Sequence, residues 1–268
     1  MWAPMETGQQ FLMQLNSNKK TSQDLSILIL KDGFSFCTPE QQHFFGLETE
    51  TPSTDALKSW IKYHQINTEN TTLVYMDHPA VTVPLPLFDK EQPELYLKTA
   101  IAIDDTHIVH GETIDTLDQA IVYPITRKWD TLFKAVLPKA SITHLTTQLL
   151  PDLAKFSFGK TKKNMFVHLR QDQFDLFLFQ GGQLLLQNSF PQHNADDFLY
   201  YLFYVTEQFY LKPEQFNLTF LGKYEGFDEY YLGAREFHES IDYFEPHYPS
   251  PSPVHPVPFF LSYNSLWG

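Results

Sequence analysis

The chain reads as an α/β protein built of two similar halves, and three observations predict this. "ILKDGFSF", beginning at Ile29, recurs as "LRQDQFDL", beginning at Leu169, with Asp32 set against Asp172 and Phe34 against Phe174. Apolar residues alternate before each Asp: Leu25, Ile27 and Ile29 in the first copy, Met165, Val167 and Leu169 in the second. A period of two marks a strand. Each half then continues in one order: two more strand-like runs, a helix-like run and a short apolar strand. Agreement at several levels makes chance matching of one octapeptide a poor explanation.

The first half opens at Leu25, after 24 residues that read as an N-terminal arm. Asp32-Gly33 punctuates two alternating runs, and Asp-Gly favours the positive backbone angles of a hairpin turn. A third strand is expected at roughly His43 to Thr49. "TPSTDALKSWIKYHQ" opens with capping hydroxyls and puts Leu57, Trp60, Ile61 and His64 on one helical face. "TTLVYMD" reads as a short buried strand. "PAVTVPLPLFD" and "ELYLKTAIAI" then read as strand and helix, "HIVHGE" and "QAIVYPI" as strands, and "RKWDTLFKAVLP" as a helix. "ASITHLTTQLLPDLAKF" closes this half as strand and helix. The second half lacks this middle stretch, which reads as the rest of the first domain plus a hairpin insertion.

In the second half "MFVHLRQ" and "FDLFLF" are strands, and Gly181-Gly182 makes a two-residue turn into "QLLLQNSF". Asn194 is placed to cap "ADDFLYYLFYVTEQFYL", whose Asp196 and Asp197 suit the positive end of a helix dipole. Lys212-Pro213 is expected to stop that helix. "FNLTFLG" is the last strand. The implied division is an arm over 1–24, a first half over 25–158, a second half over 159–245 and a Pro-rich tail over 246–268. Six prolines between Pro246 and Pro258 bar helix and central strand there. The apolar "FFLSYNSLW" beyond them reads as a strap laid on the body, a disordered tail being the plainer alternative.

Composition narrows the function classes. The formal net charge of −13 sets a repulsive field against nucleic acid and anionic membranes, so neither is expected as a partner. The longest early apolar run, "LSILIL", is far short of the roughly 20 residues that span a bilayer. Cys37 is the sole cysteine, so no intramolecular disulfide is available, and a cytoplasmic setting is expected. An aromatic share of 16% favours large packed strand layers.

A β-meander followed by alternating helix and strand, present twice, resembles the duplicated ribonuclease-H-like fold of the actin, hexokinase and chaperone-ATPase superfamily. "LSILILKDGFSFC", "LVYMDHPAVTVPLPLFD", and "VHLRQDQFDLFLFQGGQLLLQNSF" with "DDFLYYLFYVTEQFYL" more closely resemble an uncharacterised Bacteroidetes family, a domain of unknown function, over roughly residues 25 to 245. The superfamily resemblance implies a nucleotide site with an Asp and a following Gly near the end of the first strand of each half. Glycine admits backbone N–H groups to phosphate and the carboxylates organise Mg²⁺. Here Leu28-Ile29-Leu30 and His168-Leu169-Arg170 stand at those places. The adenosine segment becomes Gly222-Lys223-Tyr224-Glu225-Gly226, with bulky residues between the glycines. The expectation is a degenerate nucleotide site with no catalytic residue, no cofactor and no metal. By analogy with inactive scaffolds of pilus and secretion machinery, the partner would be a protein or peptide. The competing expectation is a nucleotide-binding ATPase or sensor of the same superfamily.

Other chemistry fares no better. "AKFSFGKT" ends like a phosphate-binding loop but lacks the first Gly and follows a helix. His110 and Glu112 share a strand face that His107 does not, which is short of a zinc ligand set. Cys37 sits on a strand without a cationic partner and reads as a small buried hydrophobe. The helix over 196–211 has one apolar stripe, Phe198, Tyr201, Leu202, Val205 and Phe209, and further apolar residues around it. It is either a helix buried on most sides or the carrier of a partner-binding aromatic patch at Tyr200, Phe203 and Tyr204.

Overall fold

A computed structural model describes residues 25–38, 42–47, 52–98 and 100–244 of the chain. The arm over 1–24 and the tail over 246–268 lie outside the described residues, so the strap expectation does too. The described residues form two compact units, 25–151 and 152–244.

The first unit holds the sheet β3-β2-β1-β4-β8, from β1 (Leu25–Ile29), β2 (Gly33–Cys37), β3 (Gln42–Gly46), β4 (Thr71–Tyr75) and β8 (Ser141–His144). The second holds β11-β10-β9-β12-β13, from β9 (Lys163–Leu169), β10 (Gln173–Gln180), β11 (Gln183–Pro191), β12 (Phe216–Phe220) and β13 (Ile241–Tyr243). Position by position the senses agree: two antiparallel pairings on one side, two parallel pairings on the other. Registers agree as well. Ile29 pairs Phe34, which pairs Phe45, as Leu169 pairs Phe174, which pairs Phe190. The repeated octapeptide is thus the first hairpin of each sheet.

Those hairpins are not closed as the Asp-Gly pair predicts. Neither Asp32 nor Gly33 is among the positive-φ residues. Instead the Leu30 N–H donates to the Gly33 carbonyl at 2.9 Å, and the Arg170 N–H to the Gln173 carbonyl at 2.9 Å. Gly33 answers to packing: a Cβ there would overlap the Phe44 ring and lie 2.5 Å from the Phe45 carbonyl oxygen. The second copy has no such ring in place, so Gln173 is tolerated. Gly181 and Gly182, at φ of 59° and 91°, do form the left-handed turn expected of them.

Both faces of the central strands are covered. All of Leu25–Ile29 is buried, as suits strands in a partly parallel sheet flanked by helices. In the first unit α1 (Thr54–Tyr63) is capped by Ser53, which accepts from the Ala56 N–H at 3.1 Å, and lays Trp60 on Phe36. Between β4 and α2 (Arg127–Val136) stands a small sheet, β5-β7-β6, of β5 (Val81–Pro84), β6 (His107–Ile114) and β7 (Gln119–Thr126). The helix expected over 94–103 is absent there; only a 3-10 turn at Pro93–Tyr96 forms. The Tyr96 hydroxyl pins the loop, donating to the Leu87 carbonyl at 2.6 Å and accepting from the Asp89 N–H at 2.7 Å. Leu97, Ile101 and Ile103 then pack on the small sheet, a tertiary demand that outweighs helix propensity. The helix α3 (Leu145–Ser157) follows β8 and contains Pro151.

In the second unit α4 (Ala195–Gln208) and α5 (Asp228–Phe237) cover one sheet face, over a core that includes Phe174, Phe198, Leu202, Phe216, Phe220 and Tyr231. The Asn194 side chain accepts from the Asp197 N–H at 2.9 Å, as expected. The end of α4 differs from expectation. Phe209 is the C-cap and Tyr210 turns the chain at φ 52°, before Lys212-Pro213 is reached.

Candidate functional site

The strand ends where the superfamily resemblance places phosphate-binding groups are built from other chemistry. In the first unit Leu28 and Ile29 are fully buried and Leu30 nearly so. Opposite Leu28 lies Ser35, whose hydroxyl accepts from Gln42 Nε2 at 2.8 Å and touches the Cys37 sulfur at 3.5 Å. Burial pushes the Cys37 thiol up to about 12, against a small opposing pull from Ser35, so it is no thiolate near neutral pH.

The second unit carries a buried ionic cluster at the matching place. Strand pairing sets Asp175 opposite both His168 and Ser189. Arg170 donates to Asp175 Oδ1 at 2.7 Å, Ser189 Oγ donates to the same oxygen at 2.6 Å, and His168 Nδ1 lies 3.2 Å from Oδ2. Burial alone would raise the Asp175 carboxyl, but the Arg170 guanidinium, then His168 and Ser189, hold it far below the usual carboxylate range. Burial keeps the His168 imidazole neutral, outweighing the pull of Asp175. A neutral ring facing an ionised carboxylate must carry its proton on Nδ1, and Nε2 is then a buried acceptor with no partner. The carboxylate comes not from β9, where the resemblance expects Asp-X-Gly, but from its neighbour β10, which no local pattern marks.

Asp32 and Asp172 are exposed at the tips of the two turns. Their carbonyls accept from the Leu47 N–H at 2.8 Å and the Gln192 N–H at 3.0 Å, so each ties its turn to the chain beyond the third strand. Gly222, at φ 98°, leaves β12, and the Tyr224 ring lies against Gly226 where a bare segment was sought.

A second polar cluster, also missed, gathers in the first unit where β4 and β8 end. Glu112 accepts from Tyr123 Oη, from Thr143 Oγ1 at 2.7 Å and from the His144 N–H at 3.0 Å. Burial raises its carboxyl, and those hydrogen bonds lower it in part. Thr126, at the start of α2, donates to Asp77 at 3.2 Å, and Lys134 pairs with the buried Asp130 at 2.7 Å. The signal for it was Asp77 just past a short apolar strand. Ligands favour the carboxyl ends of such strands.

His107, His110 and Glu112 have separate roles. His107 Nδ1 meets Asp104 at 2.8 Å, His110 stacks on Tyr123, and Glu112 belongs to the cluster just described. The loop-like segment after α3 has Gly159 at φ 72°, with Lys160 Nζ 3.2 Å over the Phe156 ring. On α4, Phe198, Leu202 and Val205 face the core, while Tyr200, Phe203 and Tyr204 are 64%, 37% and 48% exposed. The helix is therefore not buried on most sides. Phe203 meets Phe237 of α5 edge-on at 4.5 Å, which holds one edge of the patch in place.

The fold defines a class. A crystal structure from Bacteroides thetaiotaomicron, described as a protein with actin-like ATPase fold and unknown function, matches with a TM-score of 0.72 and 24% identity. The match covers 84% of this chain and 92% of that one. This protein has the actin-like ATPase fold, and it belongs to the family "Protein of unknown function (DUF3822)", whose model matches residues 13–241. A PilM–PilN type IV pilus biogenesis complex matches at TM-score 0.48 and 11% identity, over 84% of this chain and 89% of that one. A filament of AlfA bound to AMPPNP matches at TM-score 0.41 and 7% identity, over 90% and 96%. Likeness at those scores says nothing of function. None of the curated proteins matches this chain significantly in sequence.

Proposed function

We propose that this protein is a non-catalytic, cytoplasmic scaffold for protein interaction, on an actin-like fold whose nucleotide chemistry has lapsed. The supporting observation is the use made of the two first hairpins. Phosphoryl transfer asks for carboxylates that hold Mg²⁺ and bare backbone donors near the phosphates. Leu28 brings no carboxylate, and Asp175 is committed to Arg170, His168 and Ser189. The Leu30 and Arg170 N–H groups close their own turns, and the space left by Gly33 belongs to Phe44. Among the described residues no group of three or more His, Cys, Asp or Glu is placed to hold a metal. No helix among them is long and apolar enough to cross a membrane. The scaffold's docking face is the exposed aromatic side of α4, at Tyr200, Phe203 and Tyr204, and its partner is a protein or peptide bearing apolar side chains.

The test is steady-state phosphate release with Mg-ATP, beside a thermal shift. Release at the buffer rate is expected, without the roughly 2.7 kcal/mol of stabilisation that ligand at 100 times its dissociation constant would add. Turnover that disappears in an Asp32→Ala, Asp172→Ala double variant would overturn the reading in favour of an active nucleotide enzyme.

A further inference from the structure

The aromatic side of α4 exposes on the order of 300 Å² of Tyr200, Phe203 and Tyr204, taking roughly 200 Å² for each whole side chain. A patch of that size is often functional. We infer that the occupant is the chain's own C-terminal segment, Phe259 to Trp267, which docks on this face and must be displaced before a partner protein binds. The inference rests on the reading of α4 as a docking face.

Three features favour this occupant. The first is reach. The last described residue, Phe244, belongs to the same unit as α4. Fifteen residue steps separate Phe244 from Phe259, and the six prolines among them favour an extended run of about 3.1 Å per residue, roughly 46 Å in all. A compact body of about a hundred residues has a radius of gyration near 13 Å and so a diameter of about 34 Å, and such a tether reaches most of its surface. The second feature is chemistry. Phe259, Phe260, Leu261, Tyr263, Leu266 and Trp267 supply apolar and aromatic anchors to an apolar and aromatic face. The third is charge. Asp196, Asp197 and Glu207 lie along α4, and residues 246–268 contain no Asp, Glu, Lys or Arg. The tail therefore meets no repulsion there, whereas a second copy of a chain at −13 would.

The experiment uses the full chain with Glu207→Cys as reporter, on the exposed side of α4 one turn from Phe203 and Tyr204. Cys37 is buried and supplies a slow background. Maleimide labelling is compared with that of a chain that also carries Phe259→Ser, Phe260→Ser, Leu261→Ser and Trp267→Ser, circular dichroism establishing that both fold. With a tethered concentration on the order of 1 mM, a tail of 0.1 mM intrinsic affinity protects about tenfold, so labelling should be about ten times faster without the anchors. The protection should not change on dilution. A Glu207→Cys, Asn264→Cys pair should close an intramolecular disulfide under mild oxidation. Equal labelling rates, or protection that fades on dilution as a second copy would give, overturn the inference; so does failure of the disulfide to form. The docking-face reading fails differently: the apolar dye ANS would bind the anchor-free chain no less when it also carries Tyr200→Ser and Tyr204→Ser.

Discussion

Replacing Asp175 by Asn tests whether the expected phosphate position has been converted to a structural one. The change keeps size and removes charge. It takes the charge out of the 2.7 Å ion pair with Arg170, and with the amide oxygen left to Arg170 and Ser189 it sets the amide N–H donors against the Nδ1–H of His168. The Asp175 and Arg170 side chains are 6% and 11% exposed, so water cannot replace the lost partner freely. Removing one member of a buried pair costs about 3–5 kcal/mol. At roughly 2–4 °C per kcal/mol for a chain of this size, a loss near 4 kcal/mol lowers the melting temperature by about 8–16 °C. Thermal and urea unfolding followed by circular dichroism at pH 7.5 measures it, with Glu214→Gln at an exposed position as control, where a change within about 0.5 kcal/mol is expected. Because the folded carboxyl is held below its unfolded value, the stabilisation is fully present above about pH 3.9 and is lost as pH falls below that. Asp175→Asn and the control melting within a degree or two of each other would refute the reasoning.

Three other outcomes follow from the same structure. Burial holds the His168 imidazole below its unfolded value, so its contribution is full above about pH 6.5 and declines as pH falls, at no more than about 1.4 kcal/mol per unit; His168→Leu should flatten the fall in stability between pH 7.5 and 5.5, and an unchanged pH dependence would contradict the assignment. Gly33→Ala should cost about 1–3 kcal/mol by overpacking against Phe44 and the Phe45 carbonyl, measured by urea unfolding, while Gln173→Ala should cost little; equal effects would contradict the packing account. The native Cys37 thiol should resist an aromatic disulfide reagent at pH 8 and react once the chain is unfolded in urea; fast native reaction would contradict its burial.

The duplication was legible in the chain because its signals are local. Alternating apolar residues around Asp32 and Asp172 mark two hairpins, Asn194 and Ser53 mark two helix starts, and Gly181-Gly182 marks a turn. Each depends on a few neighbouring residues and holds wherever the segment is placed. The make-up of the expected phosphate positions was half legible. Leu28 and His168 in place of carboxylates could be read from an alignment of the two halves, and so could the bulky residues between Gly222 and Gly226.

Tertiary structure decided the rest. Asp175 opposes His168 because the β9–β10 hairpin closes between Arg170 and Gln173, and Ser189 joins them only through the register of β11, which shifts at Leu178/Phe179. Glu112 meets Thr143 and His144 across 31 and 32 residues, a distance over which no local pattern specifies a partner. The segment over 94–103 has a helical look, yet its apolar residues complete the core of the small sheet. Tyr200, Phe203 and Tyr204 have the same composition as the core-facing stripe of α4, and only the packing of that helix on its sheet turns one set inward and the other to water. Periodicity is a property of one segment, whereas register, bulges and helix orientation are chosen by the packing of all segments together, and the chemistry of this protein depends on that choice.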